Sequence, residues 1–291
     1  MKKILLIISI FTAFVSQAQS SKWSDLFSYN NVLAIREDGD RLIAATENGV
    51  FYYNPSSGEI KKLSKANGLH EVKISAFDYD ATTQTGIVGY QNGSMDVITP
   101  NGIFLIVDIP LATGYNGSKK INHISINGDR AIISVGYGVS IFNVSRREFG
   151  DTAFSKYKDP VTGQDKTDVV NSAVIKDNIV YAATNSGVKY HEINATFALY
   201  SEWNQNIIAP GNFTDIDAKS IVAFASSTQV RYGAGPSFST LLRTFTNIQD
   251  LRATDRHITV TDPPPVYVYS TGRTRQKNLT AAANITFPVI F

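Results

Sequence analysis

The chain has 291 residues, 43% of them apolar, with no cysteine and a formal charge of +2. The missing cysteine excludes a thiol nucleophile, thiolate metal sites, a lipoprotein anchor and disulfides. A nearly neutral chain with dispersed charges also argues against nucleic-acid binding, which draws most of its affinity from Lys and Arg on phosphates.

Residues 1–18 read as a secretory signal peptide. Lys2 and Lys3 lead, Ile4 to Val15 form the apolar run, and Ser16 and Ala18 place small residues before a cut at Gln19. The run is shorter than the ~20 residues needed to cross a bilayer. Cleavage removes two lysines and leaves a formally neutral mature chain of residues 19–291.

Beyond it the chain repeats itself. AATENGVFYY from Ala44 returns as AATNSGVKYH from Ala182, with weaker echoes at Val88 and Ser134. The shared glycines Gly49, Gly93, Gly138 and Gly187 are spaced by 44, 45 and 49 residues, the mark of a repeat architecture. Within each unit apolar residues alternate with polar ones in short runs rich in Val, Ile, Tyr, Phe and Thr, as in RLIAAT at Arg41 and NIVYAAT at Asn178. This is the period of half-buried strands, and no window carries helical spacing over three turns.

Units begin near Val32, Ile74, Ile121, Val170, Phe213 and Ile248. Each is an apolar first strand, a polar turn such as Gly39-Asp40 or Asp177-Asn178, a second strand, a glycine turn, a third strand and a more polar fourth, for example EIKKLS at Glu59 or FALYSEW at Phe197. A four-stranded meander of about 45 residues is one blade of a β-propeller. The turn glycines Gly49, Gly138 and Gly187 are expected at positive φ. NITFPVIF at Asn284 resembles the first strand of a seventh unit, and SKWSDLF at Ser21 an outermost strand donated to the final blade. The fold expected is all-β: six blades plus an incomplete seventh, in a domain truncated at its C-terminus.

Candidate chemistry is sparse. The acidic turn Glu37-Asp38-Gly39-Asp40 has basic counterparts at Ala218-Lys219 and Asp255-Arg256, so it reads as hairpin chemistry and not a calcium loop. His70, His123, His191 and His257 lack metal-ligand spacing. No G-x-S-x-G elbow occurs. Lys61-Lys62, Lys119-Lys120, Arg146-Arg147 and Arg273/Arg275/Lys277 suit solvated blade edges. Pro263-Pro264-Pro265 occupies a turn. No catalytic residue, cofactor or metal is expected.

GDRLIAATENGVFYYN followed by SKANGLHEVKISAF is similar to the repeats of two-component-regulator propellers. More specifically, WSDLFSYNNVLAIREDGDRLIAATENGVFYYN, FGDTAF and IVYAATNSGVKY resemble the PorZ N-terminal β-propeller family of the type IX secretion system of Bacteroidetes, over most of residues 21–205. The resemblance implies a non-enzymatic exported propeller, in the periplasm or at the outer-membrane cell surface. Its implied partners are the sortase PorU and anionic lipopolysaccharide that is transferred to secreted cargo. Relatives carry a second propeller and a sorting domain beyond the region of likeness. Asp151-Thr152-Ala153 resembles the O-glycosylation pattern of exported Bacteroidetes proteins and makes Thr152 a candidate site. Two other readings are a periplasmic sensor propeller of a hybrid two-component regulator that binds glycan fragments, and a propeller enzyme acting on carbohydrate.

Overall fold

The computed structural model describes residues 28–270, apart from residues 116, 160, 236, 242 and 263–265, together with Gln276 and Lys277. The expected signal peptide, the Ser21 segment, the three prolines Pro263-Pro264-Pro265, Arg273, Arg275, the Lys277 side chain and the Asn284 segment lie outside the described residues.

Six four-stranded antiparallel sheets follow one another along the chain, each in simple meander order. Blade 1 spans Val32–Asp38 to Ile60–Leu63, blade 2 Ile74–Asp80 to Gly102–Ile106, and blade 3 Ile121–Asn127 to Glu148–Phe154. Blade 4 runs from Val170–Lys176 to Ile207–Pro210, blade 5 from Asp215–Ala218 to Ser239–Thr240, and blade 6 from Asp250–Ala253 to Gln276–Lys277. The first strand of each blade packs beside the first strand of the next, so these six strands surround the axis of a β-propeller. A small hairpin, Lys156–Lys158 with Asp165–Thr167, extends from the end of blade 3.

Second strands such as Thr85–Tyr90 and Arg130–Val135 are buried almost throughout, because both faces of blades 2 and 3 meet a neighbouring sheet, whereas the outer strand Glu148–Phe154 is largely exposed and mixes polar with apolar residues. At the first seam Ala34, Ile43, Ala45 and Val50 of blade 1 share a core with Ile74, Phe77, Val88 and Tyr90 of blade 2. Equivalent cores fill the next four seams. Each fully buried Val, Ile or Phe contributes about 1.5–3 kcal/mol. Sheets converge towards the axis, which is why second strands use small residues. A Cβ placed on Gly89 would stand 2.7 Å from Ile121 Cγ2 of the next blade.

The turn glycines are required for a different reason than the one expected. Gly49, Gly138 and Gly187 begin third strands in extended conformation, and of the four only Gly93 has positive φ, at 91°. What excludes a side chain is the neighbouring backbone: a Cβ on Gly138 would lie 2.0 Å from the Ala153 carbonyl, and one on Gly187 2.7 Å from that of Ala209. The fourth strand of blade 4 also differs. Tyr200–Gln205 is a short helix, and Ile207–Pro210 forms the strand. Trp203 turns inward there, donating its indole N–H to the Phe197 carbonyl at 2.8 Å and stacking near His191.

Candidate functional site: the axial channel and its funnel

The first strands do more than line the axis. In blades 1 to 4 a bulge follows the first apolar residue of the strand. A bulge re-aims the extra side chain, and here it points to the next blade. Ser75 Oγ, Asn122 Nδ2 and Asn171 Nδ2 donate to the carbonyls of Ile121, Val170 and Phe213, each at 2.8 Å. One residue further on, His123 Nδ1 faces the Ala173 carbonyl at 3.2 Å and Ser172 Oγ donates to Ile216 at 3.3 Å. Asp215 accepts from the Leu251 N–H and Asp217 from the Ala253 N–H, both at 2.9 Å. Asp78 likewise accepts from the Ile126 N–H at 2.6 Å. The free edge of each inner strand from blade 3 to blade 6 is thereby satisfied by side chains of the blade before it.

These groups bring charge into the axis. Arg36 pairs with Asp78 at 2.5 Å, and Arg252 with Asp250 at 3.2 Å. Burial, reinforced by Arg252, pushes the His123 imidazole down to about 4, so it is neutral at pH 7 and its Nδ1 hydrogen serves Ala173. Burial raises the Asp215 carboxyl to about 6 against the pull of Arg252. Asp217 is raised for the same reason.

At one end the first turns of blades 2 to 6 surround a polar cavity of about 560 Å³. Asp80, Thr82, Asn127, Lys176, Lys219 and Ser220 are among its walls, which offer hydroxyls and both signs of charge. A second cavity of about 440 Å³ lies in the groove between blades 1 and 2, with Tyr52, Tyr79, Ile98 and Ile103 in its walls and Arg41 and Lys61 beside them. Tyr79, pushed up to about 12 by burial and by Asp38, donates its hydroxyl to Asp38 at 3.2 Å.

The residues singled out from sequence are dispersed. His70 bonds Asp96 at 2.6 Å on the side of blade 2, and the same carboxylate takes the Tyr90 hydroxyl, whose pKa burial and Asp96 raise strongly. His191 lies under Trp203 and His257 stands exposed at a strand start. Among the described residues no three His, Cys, Asp or Glu converge to hold a metal ion. Lys61 and Lys62 lie on the outer strand of blade 1. Lys119 Nζ caps the carbonyls of Pro110 and Ala112, and Arg147 stacks over Phe104. Thr152, on the outer strand of blade 3, shares a 2.8 Å hydrogen bond with Ser140 Oγ. The inner-strand bridges escaped sequence reading, although a polar residue directly after the first apolar one, as in Ile74-Ser75, Ile121-Asn122 and Val170-Asn171, was their signal.

The profile of the type IX secretion system PorZ N-terminal β-propeller domain matches residues 42–204. No curated protein matches the chain. Among solved structures, PorZ of Porphyromonas gingivalis, described as an essential bacterial surface component of the type IX secretion system, superposes with a TM-score of 0.70 at 18% identity, covering 87% of this chain and 33% of that one. The extracellular domain of a putative hybrid two-component system of B. thetaiotaomicron gives 0.56 at 14% identity, over 85% of this chain and 33% of that one. The RRP9 WD40 repeats give 0.61 at 9%, over 85% and 78%. The chain thus spans about a third of the length of the PorZ structure. Because the matched profile covers more than half of its residues, the chain belongs to the PorZ N-terminal β-propeller family.

Proposed function

We propose that this propeller is a non-enzymatic interaction module of the type IX secretion apparatus, working outside the cytoplasm. The observation that carries the reading is the family match over residues 42–204. The arrangement of the inner strands supports it: Asp78, His123, Asp215 and Asp217 are engaged with backbone groups of neighbouring blades, so their chemistry is spent on holding the ring. Residues 1–18 act as the export signal, and a PorU-like sortase and anionic lipopolysaccharide are the partners this reading assigns. An in-frame deletion of residues 42–204 in the native gene tests it. Cargo proteins should remain unprocessed in the periplasm, and normal cargo maturation at the surface refutes the role.

The hydroxyl-rich funnel of about 560 Å³ favours a second reading, a sensor-type propeller that takes a glycan fragment at its axis. Calorimetric titration with oligosaccharides separates the two, since binding abolished by Lys219→Ala would support the sensor. O-glycosylation at Thr152 belongs with the export reading and requires its hydroxyl to leave Ser140. Mass spectrometry of the native exported protein decides that point: an unmodified Thr152 peptide ends it.

A further inference from the structure

The seam between blades 1 and 2 is built with smaller side chains than the two that follow it. Across blade 3, the row that faces blade 2 is Ile126, Ala131, Phe142 and Phe149, each opposite the next on successive strands. Phe142 is fully buried there and meets Phe149 edge-on, with ring centroids 5.0 Å apart. In blade 4 the matching row is Ile175, Val180 and His191, and Trp203 stacks on His191 with centroids 5.6 Å apart. In blade 2 the same row is Tyr79, Gly86, Ile98 and Ile103. Gly86 lets the Tyr79 ring lie close against the sheet, since a Cβ there would stand 3.3 Å from Tyr79 Cδ2. Isoleucines take the places of Phe142 and Phe149, and the outer part of the seam stays open as the cavity of about 440 Å³. Blade 1 supplies the opposite wall. Tyr52 and Lys61 stand opposite each other on its third and fourth strands, and Leu63 lies beside them. Among the described residues no hydrogen bond or ion pair engages the Tyr52 hydroxyl or the Lys61 ammonium. Arg41 and Glu59 stand nearer the turns, and Arg41 already answers Asp38.

We propose that this cavity takes an aromatic side chain from an extended acidic peptide of a partner protein. The ring enters between Tyr52 and Tyr79 over Ile98 and Ile103, filling the space that Phe142 and Phe149 fill in the next seam. A neighbouring carboxylate of the peptide meets Lys61, the one wall cation without an anion of its own, and the Tyr52 hydroxyl donates to the peptide backbone. The outermost strands explain why the occupant is a peptide. Ile60–Leu63 and Gly102–Ile106 both contribute walls, and each pairs with no further strand among the described residues. Their outer edges carry backbone N–H and C=O groups at the spacing of an extended chain. The groove shares no wall residue with the axial funnel, so the two can be tested apart.

Binding of this kind is read in vitro, and neither export nor cargo maturation enters it. The full chain is panned against a phage-displayed library of random peptides, and each enriched peptide is titrated by fluorescence polarisation. The enriched peptides should carry Phe, Tyr or Trp beside Asp or Glu. Ile98→Phe installs the ring that blade 3 has at Phe142 and should weaken them at least ten-fold. Lys61→Glu alters an exposed side chain on an outer strand, so it reads the site even where Ile98→Phe disturbs folding, and it should weaken them at least five-fold. Lys219→Ala, in the funnel, should leave them unchanged. Peptides that bind both groove variants as tightly as the parent overturn the site, as does a panning that enriches none. Binding lost only with Lys219→Ala assigns the peptide to the funnel and overturns it equally.

Discussion

Lys189 gives the sharpest test of how the blade interiors are held. Its ammonium stands 2.8 Å from Asp168 Oδ2, with side chains 2% and 0% exposed. It also donates to Asn204 Oδ1 at 2.7 Å and to the Lys156 carbonyl at 3.3 Å. Lys189→Met keeps the stem and removes the charge, leaving Asp168 buried without its cation. Breaking one side of a buried pair costs about 3–5 kcal/mol. Asp168 retains Thr184 Oγ1 at 2.8 Å, the Ser186 N–H at 3.0 Å and the Ser186 hydroxyl, which places the loss at the low end. About 3 kcal/mol corresponds to a fall of roughly 6–12 °C in Tm for a domain of this size. Adding Asp168→Asn removes the orphaned charge while keeping an acceptor for Thr184 and Ser186, and should recover at least half of the loss. Differential scanning calorimetry at pH 7 on both variants reads this directly. A single variant that melts within 2 °C of the parent (under about 1 kcal/mol), or a double variant no better than the single, refutes the account.

Asp215→Asn should reveal the buried carboxyl of the channel. Its folded pKa is raised to about 6, so the folded state holds the proton more tightly than the unfolded chain, and the parent loses stability as pH rises towards 6. Relative to Asp215→Asn the parent should therefore gain about 1–2 kcal/mol between pH 7 and pH 4, a figure discounted for channel water; a difference that does not change with pH overturns it. His123 works in the opposite sense, because its lowered pKa costs stability as pH falls below the ordinary imidazole range towards 4, so His123→Gln should lessen acid sensitivity in urea titrations. Gly138→Ala brings a methyl within 2.0 Å of the Ala153 carbonyl and should cost at least about 2 kcal/mol. Gly39→Ala meets nothing within 4 Å and only its φ of 58° opposes it, so it should cost about 1 kcal/mol; equal melting temperatures would show that backbone contact is not what excludes a side chain at Gly138.

The repeat, the blade count and the order of strands were legible because each unit repeats the same succession of short β-branched and aromatic runs and turns, with small residues such as Ala44-Ala45 and Ala182-Ala183 at matching places in the second strands. The helix at Tyr200–Gln205 was not, since Leu199 and Trp203 alternate acceptably for a strand and only the pull of Phe197 and His191 on Trp203 decides otherwise. The glycines were found but their reason was misread, because sequence shows where glycine is needed and not whether φ or a neighbouring carbonyl demands it. The inner-strand bridges were missed for a chemical reason. Ser75, Asn122, Asn171 and Asp215 perform related tasks with different functional groups, so no residue type recurs at a fixed period.

That variety has a consequence for specificity. Apolar seam cores of Ala, Val, Ile and Phe are interchangeable in kind, and each offers much the same stabilisation whichever blade it meets. The polar bridges are not interchangeable. Asn122 supplies a donor to a carbonyl, whereas Asp215 supplies an acceptor to an N–H, and each is seated opposite the group that answers it. A sheet slid by one residue along its neighbour would carry Asp215 away from the Leu251 N–H that answers it and leave the carboxylate without that donor. A bridge adds only about 1 kcal/mol when formed, but an unanswered buried carboxylate costs several times that. The bridges therefore act less as stabilisers than as penalties against wrong registers.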